Sequence, residues 1–572
     1  MQVLFEGHPY ERGLLCDLVG DDCTEPCGAA LASTGWVGYV MPHPGAAAFI
    51  LPKVFLSTDA QGCSRFLEGP TPEQLLRPDA QTRLWLQQQG HERLLSDLSL
   101  ALYQAIRRYQ RRTCQHGAQA RPLPLIRAGS TGGGAPLLEL FASLASFWRR
   151  NHALCAWVTR IGSGGGTVAW RQTMAAQLPL PTAQGPIYPA PLRRQQHSQD
   201  DELMVMLRSV LHYLATEYGL HAGGGSELQP RLHPAEFRRL LQGRGLRRLR
   251  SIRGRYYREV MRELWELLYA FFSHQQARTQ SEAHAESLLC SNFQLVFEDM
   301  IEALIGGDEQ HIPRHFRRQR DGRIVDHLFR AAGVLGPGDT YYIADSKYYR
   351  PDREVSGEAM EKQYAYAKNI IQYQIDDIIG PGPDAVGSHA IFCRDRLTEA
   401  YNVIPNVLIR GTAAGAAGAA GAAGGTAWLK LCAKPQRRLQ FSNRLFDRDT
   451  LYVLTLEISF VFVLMAYVRP SVCLQRRLRS AARRRLRQAC IDVLNTDYAF
   501  YHLACDLEGG ELQAFVREHF WELHGKICRA ETVRGQQCRG GLILALDRSC
   551  REENAGLLDK FAQVLGPSFT LA

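Results

Sequence analysis

Residues 323–350, RIVDHLFRAAGVLGPGDTYYIADSKYYR, decide the fold that we expect for the middle of the chain. Together with RHFRRQR at 314–320 they form three strand-like runs, and the tight Asp321-Gly322 turn joins the first two as a hairpin would. We therefore expect Asp326 in the second strand and Asp345 with Lys347 in the third. Because side chains alternate along a strand, Asp345 and Lys347 should point to one face.

These residue types suit a site for a hard cation. Such a cation needs carboxylates that converge on one point, and it lowers the pKa of a bound water that can attack a phosphodiester. Asp326 and Asp345 would supply the carboxylates. The carbonyl of Ser346 and the carboxylate of Glu298 are further candidate ligands.

Lysine is scarce in this chain, which makes Lys347 informative. Only eight of the 67 basic residues are lysines, and none lies between Lys53 and Lys347. An ammonium group is a compact point charge that can orient a water beside a metal, which the wider guanidinium does less well. We therefore predict a catalytic role for Lys347.

Two flanking stretches predict helices that complete the site. Residues 285–307, AESLLCSNFQLVFEDMIEALIGG, have apolar residues at helical spacing, carry Glu298 beside that stripe and end at Gly306 and Gly307. Residues 357–379, GEAMEKQYAYAKNIIQYQIDDII, place Gln363 and Tyr366 about one turn apart on one face. Their amide and phenol are candidates for holding the water or contacting a cut strand.

The order FE, VDH, IADSKYY and KQYAYA resembles the PD-(D/E)xK nuclease superfamily, and most of all its nuclease subunits of McrC and LlaJI type. The resemblance implies that Mg²⁺, or Mn²⁺, is held by Asp326, Asp345, Ser346 and Glu298 and that DNA is cut. It also implies catalytic roles for Lys347, Gln363 and Tyr366. Asp326 is preceded by valine instead of proline, and the spacing from Gln363 to Tyr366 is one residue shorter than the usual Gln-x-x-x-Tyr.

We expect an α/β protein of three regions, because 572 residues exceed what one core usually supports. They are a larger, mainly helical N-terminal region at 1–275, a PD-(D/E)xK restriction-endonuclease-like core at 276–470 and a C-terminal region at 471–572. The core would be a mixed sheet flanked by helices, with a flexible Gly/Ala-rich insertion at 411–426. The C-terminal region would be a basic helix followed by a small α/β segment. The apolar run 451–468 predicts a buried strand entering a helix, since a membrane span would hold Glu457 at mid-depth.

Basic residues predict a polyanionic partner. The net charge is +10, and nine arginines occur within 238–258, RRLLQGRGLRRLRSIRGRYYR. We predict that DNA is bound there by Arg238, Arg239, Arg244, Arg247, Arg248, Arg250, Arg253 and Arg255. A second run, RRLRSAARRRLR at 476–487, has helical periodicity. Each run is also compatible with a solvated helix face or with an acidic protein partner.

Proteins of McrC type work with a separate AAA+ NTPase motor, which is McrB-like, in restriction systems that act against phage. This chain has no GxxxxGK[ST] loop, and its single Gly-Lys pair, Gly525-Lys526, is followed by Ile527. A motor would therefore be a partner. Two other classes stay open: an inactive nucleic-acid-binding or assembly subunit with a nuclease-like fold, and an interaction subunit with a chance Asp-x-Lys. With no signal peptide and scattered cysteines, we expect a cytoplasmic protein with reduced thiols and no membrane segment.

Overall fold

The computed structural model describes residues 2–42, 47–88, 90–116, 126–129, 135–151, 156–163, 167–199, 201–222, 232–280, 286–306, 312–335, 339–379, 394–413, 428–431, 435–469, 471–530 and 541–571. Within these ranges the chain is a mixed α/β protein with several separate sheets.

The N-terminal part combines long helices with short strands. Its strands are β1 Gln2–Phe5, β2 Tyr10–Glu11, β3 Glu25–Pro26, β4 Leu31–Ser33, β5 Trp36–Met41, β6 Ala48–Leu51, β7 Leu56–Thr58, β8 Ser64–Phe66, β9 Ile126–Gly129, β10 Ala156–Gly162, β11 Thr167–Val168, β12 Leu180–Thr182, β13 Gly185–Ile187, β14 Arg193–Gln199 and β15 Glu286–Ser291. Its helices are α1 Arg12–Val19, α2 Pro72–Leu76, α3 Ala80–Gln88, α4 His91–His116, α5 Leu137–Asn151, α6 Trp170–Ala176, α7 Glu202–Tyr218, α8 Pro234–Arg239, α9 Gly245–Ile252 and α10 Glu259–Gln280.

A five-stranded sheet in the order β1-β6-β5-β15-β9 organises this part. Strands β1 and β6 are parallel, and the other neighbours are antiparallel. Helices account for more residues of this part than strands do, as expected, but the five-stranded sheet was not predicted from the sequence. The strands are too short for their alternation to stand out in the sequence.

The central part is built on a second, six-stranded sheet. Its strands are β16 His327–Ala332, β17 Asp339–Lys347, β18 Asn406–Thr412, β19 Leu429–Leu431, β20 Gln436–Arg438 and β21 Leu451–Ser459. Its helices are α11 Gln294–Ile305, α12 Arg314–Arg317, α13 Gly357–Ile379, α14 Phe460–Val468 and α15 Val472–Asp497. The order is β16-β17-β18-β21-β19, with β20 also paired to β21. Strands β17, β18 and β21 are parallel, and β16 is antiparallel to β17.

Helices cover both faces of the central sheet. Tyr341 and Ile343 of β17 pack with α13, whereas Tyr342 and Ala344 pack into the cluster that contains α11 and α14. Helix α13 is the crossover between parallel strands β17 and β18. Strands buried on both sides need no polar alternation, which accounts for the largely apolar sequence of β21.

Three local expectations need correction. Residues 314–320 form α12 and a single bridge between Arg318 and Ile324 instead of a strand. The Asp321-Gly322 turn is present, with Gly322 at φ 85°, but Asp326 precedes β16 instead of lying within it. The helix predicted over 285–307 begins only at Gln294, because Glu286–Ser291 is β15. That helix ends at Ile305 before Gly306, and Gly307 lies outside the described residues.

The apolar run 451–468 is a buried strand followed directly by a helix, as expected. Ser459 marks the junction, where its hydroxyl accepts a hydrogen bond from the backbone N–H of Phe462 at 3.4 Å. In the part of the chain that the structure describes, no helix has the length and apolar character needed to cross a membrane. Of the predicted insertion, Gly411 and Thr412 belong to β18, and 414–426 lie outside the described residues.

The C-terminal part adds a four-stranded sheet in the order β23-β24-β22-β25. Its elements are β22 Tyr498–Leu503, α16 Gly509–Glu518, α17 Phe520–Leu523, β23 Ile527–Arg529, β24 Leu542–Asp547, α18 Arg551–Lys560 and β25 Leu565–Phe569. Cys505 is disulfide-bonded, so the expectation of reduced thiols does not hold there. One hydrophobic cluster runs from the N-terminal sheet through α11 and α14 to α15 and β22. The region boundaries at 275 and 470 stay predictions.

The second arginine run lies on α15, and three of its arginines point inward. Arg479 donates to the carbonyl of Ala303 at 3.2 Å, and Arg487 donates to that of Gly333 at 2.9 Å. Arg483 donates to the carbonyls of Ile305 at 3.1 Å, Gly306 at 2.7 Å and Arg330 at 3.3 Å. Part of this run therefore caps the C-terminal end of α11 and holds β16.

We expect Arg483→Ala to lower the free energy of unfolding by about 2 kcal/mol, because it leaves carbonyls of α11 and β16 without their charged donor. Urea denaturation measures the loss. Arg484→Ala removes an exposed arginine of the same helix and should change stability by less than about 0.5 kcal/mol. Equal losses in the two variants would contradict the capping role.

Candidate functional site

Asp326 and Asp345 face each other across the β16/β17 pair. The register runs from Ala332 opposite Asp339 to His327 opposite Ala344, so the next step places Asp326 opposite Asp345. Side chains in directly opposite positions have Cβ atoms about 4.5–5.5 Å apart. The backbone N–H of Ser346 donates to Oδ2 of Asp326 at 3.3 Å, which holds this carboxylate against the end of β17.

Asp345 continues the side of β17 that packs against α13. It is 0% exposed, and neither of its oxygens accepts a hydrogen bond of good geometry. It makes ion pairs with Lys347, and with Lys362 at 3.6 Å between Nζ and Oδ1. Asp345 and Lys347 thus share one face, as the sequence predicted.

The surroundings of Asp326 alter its ionisation. Burial, followed by the negative charges of Asp345 and Glu298, raises the pKa of Asp326 to about 7, although His327 and Lys362 act in the opposite direction. Near neutral pH, Asp326 therefore retains a proton in a large fraction of molecules unless a cation is added beside it.

Lys362 is a site residue that the sequence reasoning missed. Burial alone would lower its pKa, but a hydrogen bond with Tyr366 and the charge of Asp345 raise that pKa above its usual range. Its ammonium lies 5.4 Å from the centroid of the Tyr366 ring. The signal was present, because Lys362 is one of the few lysines and directly precedes Gln363.

Gln363 and Tyr366 lie beneath the sheet. Tyr366 is fully buried, and its hydroxyl donates to the carbonyl of Ile324, two residues before Asp326. Gln363 is also fully buried, and its backbone carbonyl accepts from Asn406 Nδ2 at 2.8 Å. Its side-chain amide makes no hydrogen bond to the described residues. Tyr366 therefore positions the segment that carries Asp326, and the role of Gln363 stays a prediction.

Helix α11 supplies two acids, one turn apart. Glu298 is close enough to Asp326 for its charge to raise the pKa of that residue. Glu302 Oε2 lies 2.7 Å from His327 Nδ1, and His327 Nε2 lies 2.6 Å from Ser346 Oγ. This chain of contacts fixes Ser346, whose carbonyl is the predicted ligand. The sequence analysis assigned no role to Glu302 or His327, although His327 directly follows Asp326.

The eight arginines predicted to bind DNA are all exposed, while Leu246, Leu249 and Ile252 of α9 are buried. Arg248 forms an ion pair with Glu202, with two contacts of 2.5 and 2.9 Å. Arg250 donates to the hydroxyl of Tyr269, and Arg253 lies over the ring of Trp265. Of the eight, Arg248 alone pairs with a described acidic residue, and five make neither an ion pair nor one of these ring or phenol contacts with described residues: Arg238, Arg239, Arg244, Arg247 and Arg255.

A divalent cation fits the carboxylate pair. Among the described residues, no group of three or more His, Cys, Asp or Glu side chains forms a metal cage. Magnesium, however, is usually held by one or two carboxylates together with waters and substrate phosphates. Each oxygen of Asp345 pairs with a lysine, but the negative charges of Asp345 and Glu298 still raise the pKa of the buried Asp326, so the lysines do not fully offset the negative charge around it.

No protein-family model and no curated protein matches this sequence. Among solved structures, the chain is similar to one described as a refined half-complex from the tetradecameric assembly of Thermococcus gammatolerans McrB AAA+ hexamers with bound McrC. The identity is 11%, the match covers 84% of this chain and 99% of that chain, and the TM-score is 0.29. A TM-score of this size does not establish a shared fold.

The raised pKa of Asp326 predicts how pH acts on stability. Between pH 3.8, its ordinary pKa, and about 7, the folded protein binds a proton that the unfolded chain releases. Asp326 therefore stabilises the fold least at high pH. Within this window, each unit of increase in pH lowers the free energy of unfolding by at most about 1.4 kcal/mol through this group. In EDTA, we expect Asp326→Asn to be more stable than wild type at pH 8, with a much smaller difference at pH 5.

Urea denaturation at both pH values measures this difference. Asp17→Asn, which removes an exposed carboxyl from α1, is the matched control and should change stability little at either pH. A gain for Asp326→Asn that is equal at pH 5 and pH 8 would contradict the shifted ionisation.

Proposed function

We propose that the chain is a magnesium-dependent DNA endonuclease subunit of a restriction system of McrBC or LlaJI type. The observation that carries the proposal is the pair of Asp326 and Asp345, held opposite each other with Lys347 on the same face. Hydrolysis of a phosphodiester needs carboxylates for a metal and positive charge for the developing phosphorane. The mixed sheet with helices on both faces also meets the requirement of a PD-(D/E)xK core.

Each residue has a distinct task in this proposal. Asp326 and Asp345, with the carbonyl of Ser346 and the carboxylate of Glu298, would hold Mg²⁺ or Mn²⁺. When bound, that ion polarises a phosphoryl oxygen and lowers the pKa of its water. Lys347, already beside Asp345, orients the attacking water.

Lys362 places a second positive charge beside Oδ1 of Asp345, whereas Lys347 lies beside Oδ2. Its place on α13, outside the strand, suits contact with the phosphate oxygens that gain charge as the bond breaks. Tyr366 keeps Lys362 and the Ile324 carbonyl in fixed positions.

We further propose that NTP hydrolysis comes from a separate AAA+ subunit. The chain contains no P-loop sequence, and the lysine of its single Gly-Lys pair is occupied in the fold. Lys526 is 4% exposed, and its ammonium donates to the carbonyl of Glu522 at 2.6 Å and pairs with Glu553 at 3.0 Å. Plasmid cleavage with and without the candidate motor and NTP tests this partnership.

An inactive nucleic-acid-binding subunit is the second candidate. The observation that favours it is that Lys347 and Lys362 already provide positive charge beside Asp345 without a metal. Magnesium titration separates the two candidates. A metal-binding site predicts that Mg²⁺ raises the melting temperature of wild type but not of Asp345→Asn, whereas equal responses favour the inactive subunit.

We expect Lys347→Arg to cut DNA at least tenfold more slowly than wild type, a loss of about 1.4 kcal/mol of transition-state stabilisation. The charge is kept, but the wider guanidinium misplaces the water, and about 1 Å of misplacement can cost on the order of a hundredfold. Plasmid nicking in Mg²⁺ measures the rate, and DNA affinity should not change. The control is Lys368→Arg on α13, whose ion pair with Asp449 at 2.7 Å tolerates arginine. Equal rates in both variants would refute the role of Lys347.

Replacing exposed arginines of 238–258 should lower the affinity for DNA, and by the same factor for every DNA sequence. The combined variant Arg239→Gln, Arg244→Gln and Arg247→Gln should bind DNA more weakly, with the salt dependence flattened by about one unit of slope for each lost phosphate contact. Fluorescence anisotropy over a range of salt concentrations measures both. Arg248→Gln should have a smaller effect, because Glu202 already neutralises that guanidinium. An unchanged slope in the triple variant would favour a protein-facing surface.

A further inference from the structure

A pocket of about 270 Å³ opens just beyond the strand that ends at Lys347. It is lined by Lys53, Tyr349, Arg350, Asp352 and Arg353. Three of these side chains are cationic and one is acidic, so the lining carries a surplus of positive charge. The pocket begins at Tyr349, two residues after Lys347.

The pocket joins two distant parts of the chain. Lys53 belongs to the 3-10 turn Lys53–Phe55 that follows β6, and the other four residues follow β17. Lys53 lies 3.6 Å from the buried Glu6, which accepts a hydrogen bond from Tyr348. Lys53 is the only lysine in the first 346 residues of a chain that otherwise uses arginine.

The loop that lines the pocket is held rigidly. Arg410, which lies opposite Lys347 in the β17/β18 register, donates to the carbonyls of Pro351 and Arg353, both at 2.8 Å. These contacts use the backbone of Arg353 and leave its exposed side chain over the ring of Tyr349, at 5.1 Å. The guanidinium of Arg353 is thus presented to the pocket and contributes little to holding the fold.

The lining has the chemistry of a phosphate site. Asp352 accepts a hydrogen bond from the hydroxyl of Thr58. Among the described residues, the hydrogen bonds of the Arg350 side chain are long, to Ser64 Oγ at 3.4 Å and to the Gly7 carbonyl at 3.5 Å. Guanidinium and ammonium groups bind phosphate oxygens strongly, and a tyrosine can pack against a sugar. The volume is below the range of about 300–1,000 Å³ that is usual for drug-sized ligands, which suits a phosphate with part of its sugar.

We propose that this pocket binds a backbone phosphate of the DNA strand that is being cut. The inference rests on the proposed nuclease function. Arg350 is three residues from Lys347, a reach of at most about 11 Å. A DNA strand rises about 3.4 Å per nucleotide along the axis, so with the added length of the side chains the bound phosphate would lie a few nucleotides from the scissile bond. The pocket would fix the position of that strand relative to Asp345 and Lys347.

The test uses the full-length protein with two variants, Arg353→Gln and the double variant Lys53→Gln with Arg353→Gln. DNA affinity is measured by anisotropy in Ca²⁺ over a range of salt concentrations, and cleavage is measured in Mg²⁺. We expect Arg353→Gln to flatten the salt slope by nearly one unit. The double variant should bind about tenfold more weakly and flatten the slope further, but by less than two units, because Glu6 already pairs with Lys53. KM for DNA should rise more than kcat falls. Because Arg353 is exposed, the single variant remains informative even where the double variant folds poorly.

The matched control is Lys430→Gln with Arg171→Gln, which removes two exposed cations outside the pocket and should leave affinity and slope near those of wild type. If wild type binds and cuts DNA and both pocket variants keep the same salt dependence of DNA affinity, the phosphate subsite alone is overturned. Wild type that neither binds nor cuts DNA would overturn the nuclease function and the subsite together. A third outcome is that thymidine monophosphate raises the melting temperature of wild type but not of Arg353→Gln, while the salt dependence of DNA binding is the same in both. That outcome would assign the pocket to a free nucleotide and overturn the DNA assignment.

Discussion

Repulsion between two buried carboxylates is the constraint around which the centre of this structure is arranged. The β16/β17 register that buries Leu328 and Ile343 against α13 also sets Asp326 opposite Asp345. The carboxylates cannot separate unless that register is lost, and a one-residue slip would turn every side chain to the other face. The positive groups near them, Lys347 and Lys362, are therefore placed by the same packing that creates the repulsion.

The carboxylate pair depends on β16 being held in place, because among the described strands β16 lies at the edge of its sheet and pairs with β17 alone. Side chains from two helices secure it. Glu302 of α11 contacts His327 at its start, and Arg483 of α15 donates to its backbone at Arg330. The arginines of α15 thus serve the site indirectly, by stabilising the strand that positions Asp326.

Patterns within a short window were predictable from the sequence, and pairings between distant segments were not. The two-residue spacing of Asp345 and Lys347 gave their common face, and the apolar run 451–468 gave a strand and a helix. By contrast, 286–291 was assigned to a helix, because its pairing with Trp36–Met41 depends on residues some 250 positions away. The inward arginines of α15 were hidden for the same reason, since their partners are carbonyls at the ends of α11 and β16. Lys362 was detectable from the scarcity of lysine together with its place directly before Gln363.

The long-range pairing of β15 also changes how the N-terminal part relates to the carboxylate pair. Strand β15 is an inner strand of the N-terminal sheet, and two residues separate its end from α11, which carries Glu298. A second connection lies at the other side of the site, where Tyr348, next to Lys347, donates to Glu6 just after β1. The N-terminal sheet is therefore joined to the carboxylate site at two places, through α11 and at the end of β17, so its position and that of the site are set by the same contacts.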